Sequence, residues 1–288
     1  MSEQRFPFVL VDVAPDDVDF ISYSLFELGA QGVEERDEST LHKTAQKGKV
    51  TLSASFLTRE EADAAIAELD ADLSPRIEEI VGDAWRDAWK EHYKPFAVCK
   101  GLVVRPPWEP YEAKDGEKVL ELEPGRAFGT GLHETTSLVA ESLAARRAEV
   151  TGKDVLDVGC GSGILSLVAL SFGGARAVAV DVDPEAVAVT RENAERNGLS
   201  DKVASSTMDI TDVPGVFPVV VANIEAGVLI PMSKALYAHV QPGGFLTLSG
   251  ILLPQTDDVT RAYEAHGAKL EAKYEKGEWV ALVLRKAG

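Results

Sequence analysis

The chain has 288 residues, 45% of them hydrophobic and 26% charged, which suits one large or two ordinary globular domains. It has no apolar run of the roughly 18 residues that a transmembrane helix needs, no signal-peptide pattern and only two cysteines, so we expect a cytoplasmic protein without membrane contact or a disulfide framework. The net charge of −18 repels nucleic acid phosphates, so we expect no direct nucleic-acid binding.

The first 82 residues have a pattern of their own. Their periodicity predicts strands and helices in the order βαββαβ, at 6–13, 15–28, 32–35, 50–57, 59–69 and 76–81. That order is typical of a small ferredoxin-like α+β domain. The stretch carries seven Lys and Arg against 18 Asp and Glu. Such acidity either steers a basic partner toward this domain or only maintains solubility, and charge alone does not decide between the two.

Residues 83–104 are interpreted as the connection between two domains. They begin with a predicted helix that carries Trp85 and Trp89 on one face and is broken by Pro95. Two tryptophans at this spacing are more often a packing stripe than a substrate contact. The second domain then occupies residues 105–288.

The second domain alternates strands and helices. Strands are predicted at 118–122, 154–158, 177–180, 219–222 and 245–248, and helices at 133–147, 164–172, 184–197, 227–239 and 255–266. Two final strands, 269–274 and 278–284, have so short a connection that they must pair antiparallel. The predicted fold class is therefore α/β, a doubly wound and mostly parallel sheet with a C-terminal antiparallel hairpin, preceded by the small ferredoxin-like α+β domain.

A glycine loop follows the second of these strands. Gly159, Gly161 and Gly163 form it, and Asp181 ends the next strand, which together make a βαβ nucleotide-binding unit. The spacing differs from the G-x-G-x-x-G of dinucleotide sites, and Asp157 before the loop would repel a pyrophosphate. S-adenosylmethionine (SAM) has no phosphate, and an acid beside the loop suits its ammonium while Asp181 suits its two ribose hydroxyls. We therefore assign the loop, including Gly159 and Gly161, to SAM.

Asn223 is the next candidate, because it follows four apolar residues at the end of a strand, where open α/β sheets bind ligands. It either lies beside the transferred methyl group or caps the following helix, and both roles are compatible. Residues 224–226 read Ile-Glu-Ala, in place of the Pro-Pro-aromatic of enzymes that methylate adenine or amide nitrogens. This difference argues against those substrates.

The segment 123–136 is rich in glycine and leads into a helix. It can form a mobile loop, and the helix N-terminus favours a carboxylate such as the methionine end of SAM. Thr136 offers a hydroxyl there. His133 is either a base or a residue with a helix-capping or structural role, and its position favours the second interpretation.

Several motifs occur in an order that resembles the PrmA family, the class I SAM-dependent methyltransferases of large-subunit ribosomal protein eleven. They are Phe-Gly-Thr-Gly-x-His-x-Thr-Thr at 128–136, Asp-Val-Gly-Cys-Gly-Ser-Gly at 157–163, Asp-Val-Asp-Pro at 181–184, Glu-Asn-Ala-Glu-Arg-Asn-Gly at 192–198, Val-Ala-Asn-Ile at 221–224, Leu-Ser-Gly-Ile-Leu at 248–252 and Gly-Glu-Trp at 277–279. The similarity covers the whole second domain, and the N-terminal domain matches in layout more than in residues.

The resemblance implies a protein-lysine N-methyltransferase. It places cofactor contacts at Thr136, Gly159, Asp181 and Asn223, and it lays the loop of Phe128, Gly129 and Gly131 against the cofactor. It also implies that the N-terminal domain recognises ribosomal protein eleven, and that lysine side chains and the terminal amine are methylated, up to the trimethyl state.

Two residues depart from the family pattern. Glu123 replaces the usual Asp, and Glu225 replaces an apolar residue. The second change places an extra carboxylate near the crevice and leaves open which group accepts the methyl. We expect Asn223 to orient the acceptor nitrogen. We also expect the protein to be a monomer and to need no metal ion. The alternatives are a methyltransferase of another protein, a small molecule or RNA, and a SAM-binding, ribosome-associated module without catalysis.

Overall fold

A computed structural model describes residues 5–30, 32–36, 49–70, 73–81, 93–123 and 134–288. The chain divides into two compact units, Met1–His92 and Tyr93–Gly288. None of the helices in the described ranges has the length and apolarity to span a bilayer.

The first unit is a four-stranded antiparallel sheet with two helices. Its elements are β1 Arg5–Val13, α1 Val18–Glu27, β2 Gly32–Arg36, β3 Val50–Ser55, α2 Arg59–Glu68 and β4 Arg76–Val81, with a short 3-10 helix at Pro15–Asp17. The strand order is β2-β3-β1-β4. Alternate residues of β1, beginning with Val9 and Val11, pack in one core with Leu25 of α1 and Ala62 of α2. The predicted βαββαβ domain is confirmed.

The second unit begins with a small sheet of three strands. These are β5 Phe96–Cys99, β6 Leu102–Arg105 and β7 Lys118–Glu121, in the order β5-β6-β7. Val98, Leu102 and Val104 are buried in the core of this unit. Residues 96–104, which the sequence assigned to the connection, therefore pack with the second unit. The strand predicted at 118–122 exists, but it lies in this small sheet.

A seven-stranded sheet forms the centre of the second unit. Its strands are β8 Asp154–Val158, β9 Arg176–Val180, β10 Val203–Ser206, β11 Phe217–Asn223, β12 Val240–Leu252, β13 Ala268–Lys276 and β14 Trp279–Lys286. They are arranged in the order β10-β9-β8-β11-β12-β14-β13. The first five are parallel, whereas β14 runs antiparallel to both β12 and β13. The predicted parallel sheet with its C-terminal hairpin is confirmed.

Helices cover both faces of this sheet. They are α3 Glu134–Ala145, α4 Arg147–Val150, α5 Ile164–Ser171, α6 Pro184–Arg196, α7 Ala226–Leu229, α8 Ser233–Ala238 and α9 Thr256–Glu264, with 3-10 helices at Ile210–Asp212 and Leu253–Gln255. Val219 and Val221 of β11 pack on the side of α3 and α5, and Val220 and Ala222 pack on the side of α7, α8 and α9. A strand buried on both faces reads as an unbroken apolar run, which is why β11 was visible in the sequence.

The prediction of one helix at 227–239 is wrong, because the structure has two short helices in this range. α7 ends at Leu229 and α8 begins at Ser233. Pro231 lies between them, and a proline inside a helix removes a backbone donor and clashes with the preceding turn.

A buried carboxylate connects three strands of the first unit. Asp12 on β1 is 3% exposed, accepts a 2.6 Å hydrogen bond from the Thr51 hydroxyl on β3 and pairs at 2.9 Å with Arg76 on β4. Burial alone would raise the pKa of Asp12, but the Thr51 hydrogen bond and the Arg76 guanidinium outweigh burial and lower it. The ionised form therefore stabilises the folded sheet.

Replacing Asp12 with alanine should destabilise the first unit by about 1–3 kcal/mol, because Thr51 and Arg76 lose a charged partner. Hydrogen exchange of the β1 and β3 amides measures this loss. The contribution of Asp12 should be complete above the pKa of an unfolded aspartate, and it should disappear as the pH falls through the lower folded value. Asp63→Ala is the control, since it breaks only the exposed pair with Arg59 on α2. Equal exchange in the two variants would contradict this role.

Candidate functional site

The carboxyl ends of β8, β9 and β11 border a cavity of about 710 Å³. This volume lies within the usual range of small-molecule sites, roughly 300–1,000 Å³. Open parallel sheets bind ligands at the carboxyl ends of strands where the strand order reverses, and here the order reverses between β8 and β11. The cavity is therefore the candidate active site.

The glycine loop forms one wall of the cavity. Gly159, Gly161 and Gly163 have positive φ angles of 71°, 53° and 78°. A Cβ on Gly159 would lie 2.7 Å from Cγ2 of Ile224, and one on Gly163 would lie 2.8 Å from Cγ2 of Thr190. Only glycine satisfies both the backbone angle and the close approach of Ile224 or Thr190, and Gly159 and Gly161 present backbone without a side chain to the cavity.

Asp181 is fixed beside the loop by two backbone amides. Its Oδ2 accepts a 2.8 Å hydrogen bond from the Gly161 amide and its Oδ1 a 3.1 Å bond from the Asp183 amide. A carboxylate has about four acceptor positions, so each oxygen can accept another hydrogen bond. The side chain is half-buried at the cavity and suits a ligand with two neighbouring hydroxyls.

Asp157 lies beneath the loop and does not line the cavity. It is fully buried, and its Oδ2 accepts hydrogen bonds from the amide (3.0 Å) and the hydroxyl (2.7 Å) of Ser166. Burial raises the pKa of Asp157 to about 6 despite these bonds, and the charge of Asp181 adds to the rise. Its Oδ1 has no partner within the described residues. The charge of Asp157 therefore reaches the site from behind the loop, whereas the sequence suggested an acid that holds the ammonium.

Asn223 faces the start of α3 across the cavity. Its Nδ2 donates to the hydroxyls of Thr135 at 3.2 Å and Thr136 at 3.4 Å. The next helix, α7, has Glu225 at its N-cap, so Asn223 does not cap it. Because both of these hydrogen bonds use Nδ2, the carbonyl Oδ1 is the acceptor that Asn223 can offer to a ligand.

The structure adds residues to the cavity that the sequence did not single out. Met208 and Asp209 follow β10 and line it, as does Val182, which is 90% exposed. Asp209 accepts hydrogen bonds from the amide and hydroxyl of Thr211, which lower its pKa. Their position just after a strand could have indicated Met208 and Asp209 as lining residues. The sequence analysis did not predict that strand, β10, at the edge of the sheet.

The charges around the cavity favour a cationic ligand. Asp181, Asp209 and Glu225 line it, and the described lining contains no Lys, Arg or His. A pyrophosphate would meet three carboxylates here, whereas an ammonium and a sulfonium would be stabilised. The loop, the paired acceptors of Asp181 and this charge pattern therefore fit SAM.

The structure brings together five of the predicted site residues. Thr136, Gly159, Gly161, Asp181 and Asn223 all line this cavity. The remaining three are Phe128, Gly129 and Gly131, and they lie, with His133, outside the described residues.

Comparison with known proteins identifies the family. The family described as "Ribosomal protein L11 methyltransferase (PrmA)" matches residues 7–287. The chain belongs to this family. The resemblance read from the motifs is therefore confirmed, and because the members of this family use SAM, so is the predicted cofactor.

Individual relatives agree over most of the chain. The ribosomal protein L11 methyltransferase of Sorangium cellulosum is 53% identical over 273 residues, covering 93% of this chain and 86% of the relative. That of Geobacter metallireducens is 37% identical and covers 92% of this chain and 93% of the relative. The crystal structure of the ribosomal protein L11 methylase from Lactobacillus delbrueckii subsp. bulgaricus has 31% identity and a TM-score of 0.63, covering 68% of this chain and all of that one.

Replacing Gly159 with alanine should raise the dissociation constant of SAM about tenfold or more. The new methyl group overlaps Ile224, and a tenfold loss needs only about 1.4 kcal/mol. Gly198→Ala is the matched control, since Gly198 also has a positive φ but no atom within 4 Å of its Cβ position. It should lose about 1–2 kcal/mol of stability and keep its SAM affinity. Calorimetry that finds the two variants alike would refute the close approach as the cause.

Proposed function

We propose that this chain transfers methyl groups from SAM to amines of ribosomal protein L11, namely lysine side chains and the terminal amine. The observation that carries the proposal is a cavity with three carboxylates and no described cation, in a member of the L11 methyltransferase family. When bound, SAM supplies an electrophilic methyl group. The residues of the chain must hold SAM, exclude water and position the amine.

The cofactor contacts are assigned to Thr136, Gly159, Gly161, Asp181 and Asn223. Asp181 accepts the two ribose hydroxyls, and the Gly161 amide that fixes its Oδ2 supports this assignment. Thr136 lies one residue from Thr135 on α3, and both hydroxyls contact Asn223. The segment with Phe128, Gly129 and Gly131 is proposed to cover the cofactor.

Asn223 is proposed to orient the acceptor nitrogen through Oδ1. A lysine has a pKa near 10.4, so at pH 7 only about one in 10³ to 10⁴ is neutral and can attack. An amide acceptor next to the reacting nitrogen does not raise that pKa as a carboxylate would. Asp181 and Asp209 are held by hydrogen bonds and Glu225 is exposed, so we assign none of the lining carboxylates as a dedicated general base. The proton then leaves to water before attack, and positioning provides most of the rate.

The first 82 residues are proposed to recognise the protein substrate. Their seven Lys and Arg against 18 Asp and Glu would attract a basic ribosomal protein. The predicted connection, residues 83–104, would then lead into the catalytic domain predicted at 105–288, whose core already includes Val98, Leu102 and Val104. We place the enzyme in the cytoplasm, as a monomer.

Purified L11 incubated with this chain and SAM should gain mass in steps of one methyl group. Mass spectrometry of peptides should then locate the added groups on lysines and the terminal amine. The same reaction with the Gly159→Ala variant is the control for contaminating activity. L11 that stays unmodified, while the chain binds SAM in calorimetry, would contradict the proposed substrate.

Two substitutions should separate cofactor binding from turnover. Asp181→Ala should weaken SAM binding by about 1–3 kcal/mol, the scale of hydrogen bonds to a charged group. Asn223→Ala should instead lower kcat on L11 more than it lowers SAM affinity. Calorimetry and steady-state rates measure the two effects. Unchanged SAM affinity in Asp181→Ala, or equal losses of both quantities in Asn223→Ala, would refute this division of roles.

A further inference from the structure

Glu225 differs from the other two carboxylates of the cavity. Asp181 is held by the amides of Gly161 and Asp183, and Asp209 is held by Thr211. Glu225 is exposed, and although it stands at the N-cap of α7, its side chain makes no capping hydrogen bond. Within the described part of the chain we find no hydrogen bond or ion pair to this carboxylate. Its charge is therefore available to a ligand.

An apolar surface lies beside Glu225. Val228 follows it by three residues on the first turn of α7, is 38% exposed and lines the same cavity. Residues three apart in a helical turn are neighbours on its surface. A carboxylate next to an aliphatic side chain complements lysine, whose methylene stem packs on apolar surface while its ammonium stays charged.

We propose that Glu225 receives the charged amine of the substrate lysine at the cavity mouth, before the neutral amine reaches Asn223. This inference rests on the proposed function. A carboxylate beside the reacting nitrogen would raise its pKa and oppose the loss of its proton. Glu225 is exposed whereas Asn223 is half-buried, two residues away along the chain. The acid thus acts in the solvated entrance, and the uncharged amide acts where attack occurs.

Recognition by charge has a consequence for methylated lysine. A monomethyl, dimethyl or trimethyl ammonium keeps its positive charge, although the trimethyl form has no N–H to donate. Glu225 can therefore hold every methylation state, including the final product. A contact that depended on a hydrogen bond would lose the trimethyl form.

The substitution Glu225→Gln tests this role on full-length L11. It keeps the shape of the side chain and removes its charge, so we expect KM for L11 to rise about two- to fivefold, the range of an exposed ion pair. The kcat should stay as in the parent, and the SAM dissociation constant should rise less than KM for L11, because Asp181 and Asp209 still place their charges at the cavity. Glu195→Gln is the matched control, because Glu195 is exposed on α6 and does not line the cavity. This substitution removes the same net charge as Glu225→Gln. It should leave KM unchanged.

Inhibition by L11 that carries trimethyllysine gives a second readout. Glu225→Gln should weaken this inhibition by about the same factor as KM, whereas Glu195→Gln should not. If the parent chain methylates L11 and both variants match it in KM and inhibition, Glu225 has no receiving role and the proposal is overturned. A parent chain that does not methylate L11 would instead overturn the proposed function, and this inference with it.

Discussion

The hydrogen bond from the Gly161 amide to Asp181 joins the ends of two neighbouring strands. β8 ends at the loop that carries Gly161, and β9 ends next to Asp181. The amides of Gly159 and Cys160 also donate to the carbonyl of Val180, so the loop is attached to β9 at three points. Gly161 has a positive φ, which lets the chain turn sharply directly after this amide. This tight turn forms one wall of the cavity and presents the backbone of Gly159 and Gly161 to it.

The same turn concentrates negative charge. Asp157 beneath the loop and Asp181 beside it repel each other, and this repulsion adds to burial in raising the pKa of Asp157. Ser166 compensates only one oxygen of Asp157 within the described residues. A cationic ligand in the cavity would weaken the repulsion between these two carboxylates.

The sequence predicted the middle of the central sheet well because β8 and β11 are buried on both faces. β8 carries Val155, Leu156 and Val158 before a glycine loop, and β11 is an apolar run ended by Asn223, which are strong local signals. β10 was missed because it reads Val-Ala-Ser-Ser and lies at the edge, where pairing with the backbone of β9 decides the structure. The missed strand also concealed Met208 and Asp209. Gly159 and Ile224 are 65 residues apart in the chain, and no local pattern could predict that they approach each other.

The residues at the end of β11 and the start of α7 separate two conflicting requirements on the lysine nitrogen. The amine of lysine must arrive charged, because an acidic protein attracts it in that form, and it must react neutral, because only the lone pair attacks. A carboxylate at the position of Asn223 would serve arrival and oppose reaction, whereas in the proposed mechanism the amide there serves reaction alone. Moving the acid two residues onward, to the exposed start of α7, allows both. The break at Pro231 keeps α7 to a single turn. Glu225, at its N-cap, and Val228 therefore lie at the cavity, while the next helix, α8, packs against the sheet.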